Sequence, residues 1–523
     1  LAPVILALLA AVWLFGSHIT QTAGATAQDC SARPGDLDTT FAGTGRVLSG
    51  GSGHEGARAL LVQPDGRIIS GGYTVAGDDA GFAVARHEAN GTADATFAGG
   101  GLATTDFGSG DDQLYALALQ TDGRLIAAGQ ADNGSDSDFG LARYESDGNL
   151  DASFGISGRV LTDFGSGDDI ARAVAIQPDG RIVVAGVARS SAGSQIALAR
   201  YDADGSLDGS FGQSGLVTTT LGSYAGANAL LLLGNGTLVV AGYSWNGTDY
   251  DLVLARYEAD GSLDTTFGDG GRTITDLGGR SERLLALVAR PGGGFLVAGH
   301  SADIPLGGNY DFLLAAYTDT GTLDAGFGSG GVAQADYSGD DALEAVAFQP
   351  DGKVVAAGYI LNESYDFAAT RYDLTGSLDT TFGNNGLATV DMAGGTDLGR
   401  ALAVQGDGRL LLAGSAWDGE QSEIGLARLG QGFTCLAIAR SGQDLFLEWV
   451  DSGAGTYQVC RTVDDPYGVG VLIGSGTTGF HDAGILDLPG GNYSYRLVTL
   501  GDCNAVPASN VVGAFAFSLV PGG

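Results

Sequence analysis

Lysine is almost missing from this chain. Lys353 stands alone, and every other cationic side chain is arginine. Lys and Arg number 25 against 61 Asp and Glu, a net charge of −36. A chain that acidic repels phosphate backbones, so nucleic acid is excluded as a partner class. Long helices are excluded as well. Glycine takes 90 of 523 positions, and each Gly inside a helix costs about 1 kcal/mol relative to Ala. No Gly-X-Y period is present, which rules out collagen. Apolar residues make up 44 % and aromatics 8 %, enough to bury a core, so disorder is not expected. Histidine is scarce: His18, His54, His87, His300 and His481 are all there is, none at metal-ligand spacing from another. No Ser nucleophile motif sits between a strand and a helix. A non-enzymatic binding or scaffold protein is therefore expected, with a carbohydrate-active enzyme built on carboxylates alone, or a purely structural surface protein, as the alternatives.

What is there begins with an apolar start. Leu1 to Phe15 is almost wholly hydrophobic, and small polar residues follow it up to Ala25-Thr26-Ala27. Residues 1–27 read as a secretory signal peptide cut before Gln28, and residues 28–36 as a linker. The apolar run is too short for a comfortable membrane span, and no later stretch spans a membrane. It has neither an initiating Met nor a basic start, so the precursor is expected to begin further upstream. Export to the cell surface or the medium follows.

Residues 37–430 are one unit repeated seven times. The string L-D-x-x-F places Phe at 41, 97, 154, 211, 267, 327 and 382, spaced 55 to 60 residues apart. A second string, Q-P-D-G-R-I-V-V-A-G at 177–186, recurs with its turn, and so does D-F-x-L-A-R-Y, seen at 138–144. Within a unit, a short apolar run leads into an Asp-Gly hairpin turn, then a returning strand, an alternating strand and a last short strand. Called A to D, these four strands every 57 or so residues fit the blade of a β-propeller. Small residues recur where inner strands crowd: Ala59, Ala116 and Ala173 on strand A, and Gly72, Gly129 and Gly186 at the expected end of strand B. An all-β, seven-bladed propeller is predicted, with a parallel β-helix as the alternative. The chain enters on a D-type string and leaves after a C strand. Arg46 to Ser49 should therefore pair with Ile424 to Leu429 and close the ring.

These motifs resemble the bacterial delta-60 repeat, a β-propeller family of unknown function. The resemblance covers about three quarters of the chain and implies a fold and an envelope or extracellular setting, with no catalytic residues to carry over. Units four and five depart most: Leu233 and Arg290 stand for Gln before the turn, and Ala316 for Arg. Residues 433–523 carry alternating strands with Trp449, Tyr457-Gln458-Val459 and Leu488-Pro489-Gly490, and resemble a fibronectin type III domain. The resemblance makes Tyr493 the corner tyrosine and the tail a spacer or adhesive unit.

Three sets of residues are candidates for function. Asp132, Asn133, Asp136 and Asp138 form the densest acidic cluster, a possible Ca²⁺ loop, with turn capping as the structural alternative. Acidic pairs before strand A (Asp111-Asp112, Asp168-Asp169, Asp340-Asp341) share its rim. Trp245, Tyr250, Tyr310, Tyr365 and Trp417 crowd the B–C loops of units four to seven, where they could stack on a glycan or anchor a surface protein. The longest such loop runs from Ser301 to Asn309. A monomer is expected. Four cysteines in an exported chain suggest disulfides. The ring closure brings Cys30 towards Cys435 and leaves Cys460 for Cys503.

Overall fold

The computed structural model describes residues 33–431, apart from loop positions 51–52, 78, 109, 166, 304–308 and 338, and the strand backbones between 436 and 518. The signal segment, Cys30, Cys435 and Cys503 lie outside the described residues, and of Cys460 only the backbone is described. Two units are present, one made of Leu37–Gln405 and Leu410–Leu429 and one that contains the tail, Gly430–Gly523.

The first unit is a seven-bladed propeller of four-stranded antiparallel blades. Blade three shows the pattern: strand A Ile170–Ile176, B Ile182–Ser190, C Gly193–Tyr201 and D Leu216–Thr219. The hairpin glycines take the positive φ that the turn needs, 88° at Gly180. Strand A lies at one edge of every blade and neighbours the A strands on both sides, so seven A strands close an inner ring. The seventh blade, Leu398–Val404, Leu410–Trp417 and Ser422–Gln431, takes its fourth strand from the start of the chain. Arg46 pairs with Ala427 and Ser49 with Ile424, which is the expected closure. Strand C of that blade is thereby paired along both sides.

One expectation needs correcting. Strand B does not end on its glycine but runs through it to Ser190. The cause is a bulge in strand A: Ala171 pairs with Gly186 and Ala173 with Ala185, and Arg172 between them has no opposite residue. The bulge presses the Ile170 carbonyl onto strand B, where a Cβ on Gly186 would come within 1.9 Å of that oxygen. The same collision, at 1.8–2.0 Å, forbids any side chain at Gly72, Gly129, Gly242, Gly299, Gly358 and Gly414. Glycine is thus fixed by the bulge, and the bulge lifts one A-strand side chain per blade out of the ladder.

The outer half of each blade is held by a repeated latch. Arg143 on strand C pairs with Asp151 at 2.8 Å, lies 4.6 Å from the Phe154 ring centroid and donates to Ala203 O of the next blade. Arg86 and Arg200 repeat this on Asp94 and Asp208. Across the seam Arg428 meets Asp38 at 2.9 Å and donates to Ala89 O at 2.8 Å. Tyrosines tie neighbouring blades: Tyr201 donates to Thr162 of the preceding blade at 2.8 Å. Blade five lacks the C-strand arginine, having Ala316 instead. Arg290 enters from the A–B turn, pairs with Asp324 at 2.6 Å and lies over Phe327 at 5.9 Å. The two departures of unit five are therefore one compensated swap.

In the tail, Leu436–Ser441, Asp444–Trp449 and Gly479–Asp482 form a three-stranded sheet. Val471–Gly476, Tyr457–Val463, Asn492–Val498 and Val511–Ser518 form a four-stranded one. Among the described residues no helix is long and apolar enough to cross a membrane.

Candidate functional site

The bulge selects the first candidate site. Its extruded residues, in blade order, are Arg58, Tyr115, Arg172, Asn228, Leu285, Glu344 and Arg400. They sit on the innermost strands, so they converge. Arg172 lies 4.1 Å and Arg58 4.9 Å from the Tyr115 ring centroid, one on each side in blade order. Arg400 pairs with Glu344 and lies 5.1 Å from the Tyr359 ring. Arg283, two residues before the blade-five bulge residue, packs on Tyr243 at 4.9 Å and Tyr250 at 4.4 Å. All four arginines are half-buried. Arg58 bonds Gln113 Oε1 at 3.4 Å, and the Nε atoms of Arg58 and Arg172 are buried without a hydrogen-bond partner. Among the described residues Arg58, Arg172 and Arg283 have no carboxylate partner, although most other arginines of the propeller do.

Electrostatics follow from this crowding. Burial pulls the Arg58 guanidinium below its ordinary value, and Arg400 and Arg172 pull the same way. Burial, with Arg283 and Arg400, holds His300 at about 4, so it is neutral at pH 7. An open cleft of about 350 Å³ lies over this part of the propeller. It is lined by Arg189, Ser194, Tyr224, Tyr243, Tyr250 and Arg283, and Tyr224 is half-exposed.

The sequence-derived aromatics stand around that ring. Trp245 and Tyr250 face each other across the blade-four B–C hairpin, ring centroids 5.0 Å apart, and Tyr250 also meets Tyr243. Tyr310 packs on His300 at 4.8 Å and Tyr365 on Tyr359 at 5.5 Å. Trp417 stacks on His54 of blade one at 5.7 Å and stays 37 % exposed. Tyr243, His300 and Tyr359 share one register position, directly after the strand-B glycine. Only Tyr250 of the five contacts an unpaired arginine. The arginines themselves escaped the sequence reading. For Arg58 and Arg172 the signal was the column just before the fixed alanine of strand A, where the repeats disagree; Arg283 stands two residues before that column and has no such signal.

The acidic candidates are placed differently. Asn133 Nδ2 donates to Asp136 Oδ1 at 2.8 Å and Asp138 Oδ2 at 3.0 Å, and Asp132 Oδ1 accepts from Gly134 N at 2.7 Å. Asn246 holds Asp249 and Asp251 in the same way in blade four. Each acidic pair before strand A ties loops together. Asp169 accepts from the amides of Phe164 and Arg189, and Asp168 from that of Ser137 on the preceding blade. Burial, against those two amide bonds, pushes Asp169 up to about 6. The carboxylates of Asp138, Asp163 and Asp169 lie within 4.8 Å of one another, as do those of Asp366, Asp391 and Asp397.

Six segments of the chain, 63–97, 120–154, 177–211, 233–267, 349–382 and 405–431, match the family described as "Domain of unknown function (DUF5122) beta-propeller". No segment of unit five matches, the unit with the arginine swap. No curated protein matches the chain. Solved structures resembling it include a protein of unknown function from Dyadobacter fermentans DSM 18053, 13 % identical, covering 74 % of this chain and 98 % of that one, TM-score 0.38. The polysaccharide lyase Uly1 is 10 % identical, with 72 % and 90 % covered and TM-score 0.41. Sqt1 from Chaetomium thermophilum is 13 % identical, with 76 % and 93 % covered and TM-score 0.36.

Proposed function

We propose that this chain is an exported, non-enzymatic binding protein that holds an acidic glycan against the inner ring of its propeller. One observation carries the reading. A chain of net charge −36 nevertheless gathers Arg58, Arg172 and Arg283 on its innermost strands, half-buried and without carboxylates. Leaving guanidinium groups there costs desolvation free energy that an anionic ligand offsets. Guanidinium forks match carboxylate and sulfate in two-point geometry, and the tyrosine faces beside them suit sugar rings. Trp245, Tyr310, Tyr365 and Trp417 extend the same face outward for a longer chain. The apolar segment 1–15 supports export, and the three-plus-four strand order of the tail supports a fibronectin type III spacer.

The test is calorimetry with polygalacturonate, a sulfated galactan and a neutral mannan, on the wild type and on Arg172→Ala and Arg283→Ala. Binding to one or both acidic polymers, weakened roughly 10-fold or more by either substitution, with none to mannan, is expected. The two acidic arms separate carboxylate from sulfate. Equal binding to polyglutamate would turn the reading towards an acidic protein partner, and released sugar products would turn it towards catalysis. No heat with any polymer would end it.

A further inference from the structure

The junctions between blades repeat a second pattern, independent of the inner ring. One acidic residue opens strand C, a second follows strand D of the same blade, and a third precedes strand A of the next. Between blades two and three these are Asp138, Asp163 and Asp169. Asp138 is 4 % exposed and its Oδ1 is buried with no hydrogen-bond partner; Asp169 is fully buried. Asp163 is exposed and gives access from solvent. Between blades six and seven the trio is Asp366, Asp391 and Asp397.

The other junctions make the pattern informative. Between blades four and five the places are taken by Asp251, Asp276 and Glu282. Glu282 is fully buried, and neither of its carboxylate oxygens has a partner. Between blades five and six they are taken by Asp311, Asp336 and Asp341, and there Arg280 pairs with Asp311. The protein thus brings its own cation to one complete trio. The junction of blades three and four, by contrast, has Gln195, Thr220 and Ala225 at these places, and no carboxylate gathers. Carboxylates this close repel each other strongly where water is excluded, and the amides that cap Asp169 leave each of its oxygens a second lone pair.

We propose that Asp138, Asp163 and Asp169 bind a divalent cation of the Ca²⁺ type that staples blade two to blade three. Hard oxygens, an irregular set of ligands and one solvent-facing carboxylate suit Ca²⁺, which accepts six to eight oxygens and flexible geometry; Mg²⁺ demands a near-ideal octahedron. The loop cluster read from the sequence keeps only Asp138 in this site, because it is the carboxylate of that loop that gathers with Asp163 and Asp169 within 4.8 Å.

The test uses the full chain stripped with chelator and titrated with CaCl₂ in a calorimeter, with a thermal melt alongside. Ca²⁺ is expected to bind and raise the melting temperature, and Mg²⁺ to do so at least 10-fold more weakly. Asp163→Asn, at an exposed position the fold tolerates, should remove one equivalent of bound Ca²⁺, and Asp132→Asn should remove none. No heat and no melting shift at millimolar Ca²⁺ overturns the proposal. So does a stoichiometry that Asp163→Asn leaves unchanged or that Asp132→Asn lowers.

Discussion

The outer latch and the inner ring are built on the same seven strands' worth of repeat, yet they differ in what the repeat preserves. At the latch, the Arg–Asp–Phe set is present in six blades, and the remaining one, blade five, restores it by another route, with Arg290 reaching Asp324. At the ring, the bulge position holds arginine, tyrosine, asparagine, leucine and glutamate in different blades. The latch is what every blade needs in order to stack, so a lost arginine must be replaced. The ring needs only the bulge, which the backbone and one glycine supply, so its side chains are free to answer to something else. Repetition marks the scaffold; disagreement at a geometrically fixed position marks side chains that stacking does not require.

The comparison breaks most visibly if the scaffold is opened. Deleting Leu37 to Gly50 removes Asp38, the Phe41 ring under Arg428, and the strand that pairs with Ile424 to Ala427. Blade seven then exposes an unpaired edge. Aggregation on size exclusion and loss of the cooperative melt are expected. A monomer with an unchanged melting curve would mean the closure contributes little.

Unit five sharpens the comparison at lower cost. Arg290→Gln should destabilise by about 1–2 kcal/mol, the size of a charge-assisted hydrogen bond at a partly exposed site. Adding Ala316→Arg should recover most of that, because strand C of blade five keeps the register of the others: Ala316 faces Leu296 as Arg200 faces Val183. Denaturant melts of the two variants decide it. A double variant no more stable than the single one would make the swap a coincidence.

These two cases also show what could be read without coordinates. The blade count, the strand order and the closure were legible because each signal, the Asp-Gly turn, the strand-A alanine and L-D-x-x-F, was given seven times over and each error averaged out. The bulge was not. A one-residue slip in register leaves no mark except a glycine, and that glycine looked like the end of a strand. With the slip hidden, Arg58 and Arg172 look like ordinary strand positions, whereas Trp245 and Trp417 of the B–C loops are conspicuous in the sequence. The partners of the loop aromatics, Tyr243, His300 and Tyr359, fall into line only once strands B and C are set in register.

The smallest effect expected concerns His300, which sits in the ring region yet should not tune it. Its edge meets Tyr310 at 4.8 Å, and burial together with the charges of Arg283 and Arg400 depresses its pKa to about 4. The sign follows from linkage. In the unfolded chain a histidine takes up its proton near pH 6.5, whereas in the fold it does so only near 4. His300 therefore contributes stability that is whole at pH 7 and declines as pH falls from about 6.5 towards 4. His300 itself stays neutral in the fold over most of that window, and a polymer carboxylate stays ionised. His300 should thus leave the affinity for an acidic polymer unmoved between about pH 7 and 5.5, and His300→Gln should make the stability of the protein respond less unfavourably to acidification than the wild type does, without moving the affinity. A rise in affinity on acidification that disappears in His300→Gln would show the imidazole charging in the folded state, and would make it a member of the anion site beside Arg283.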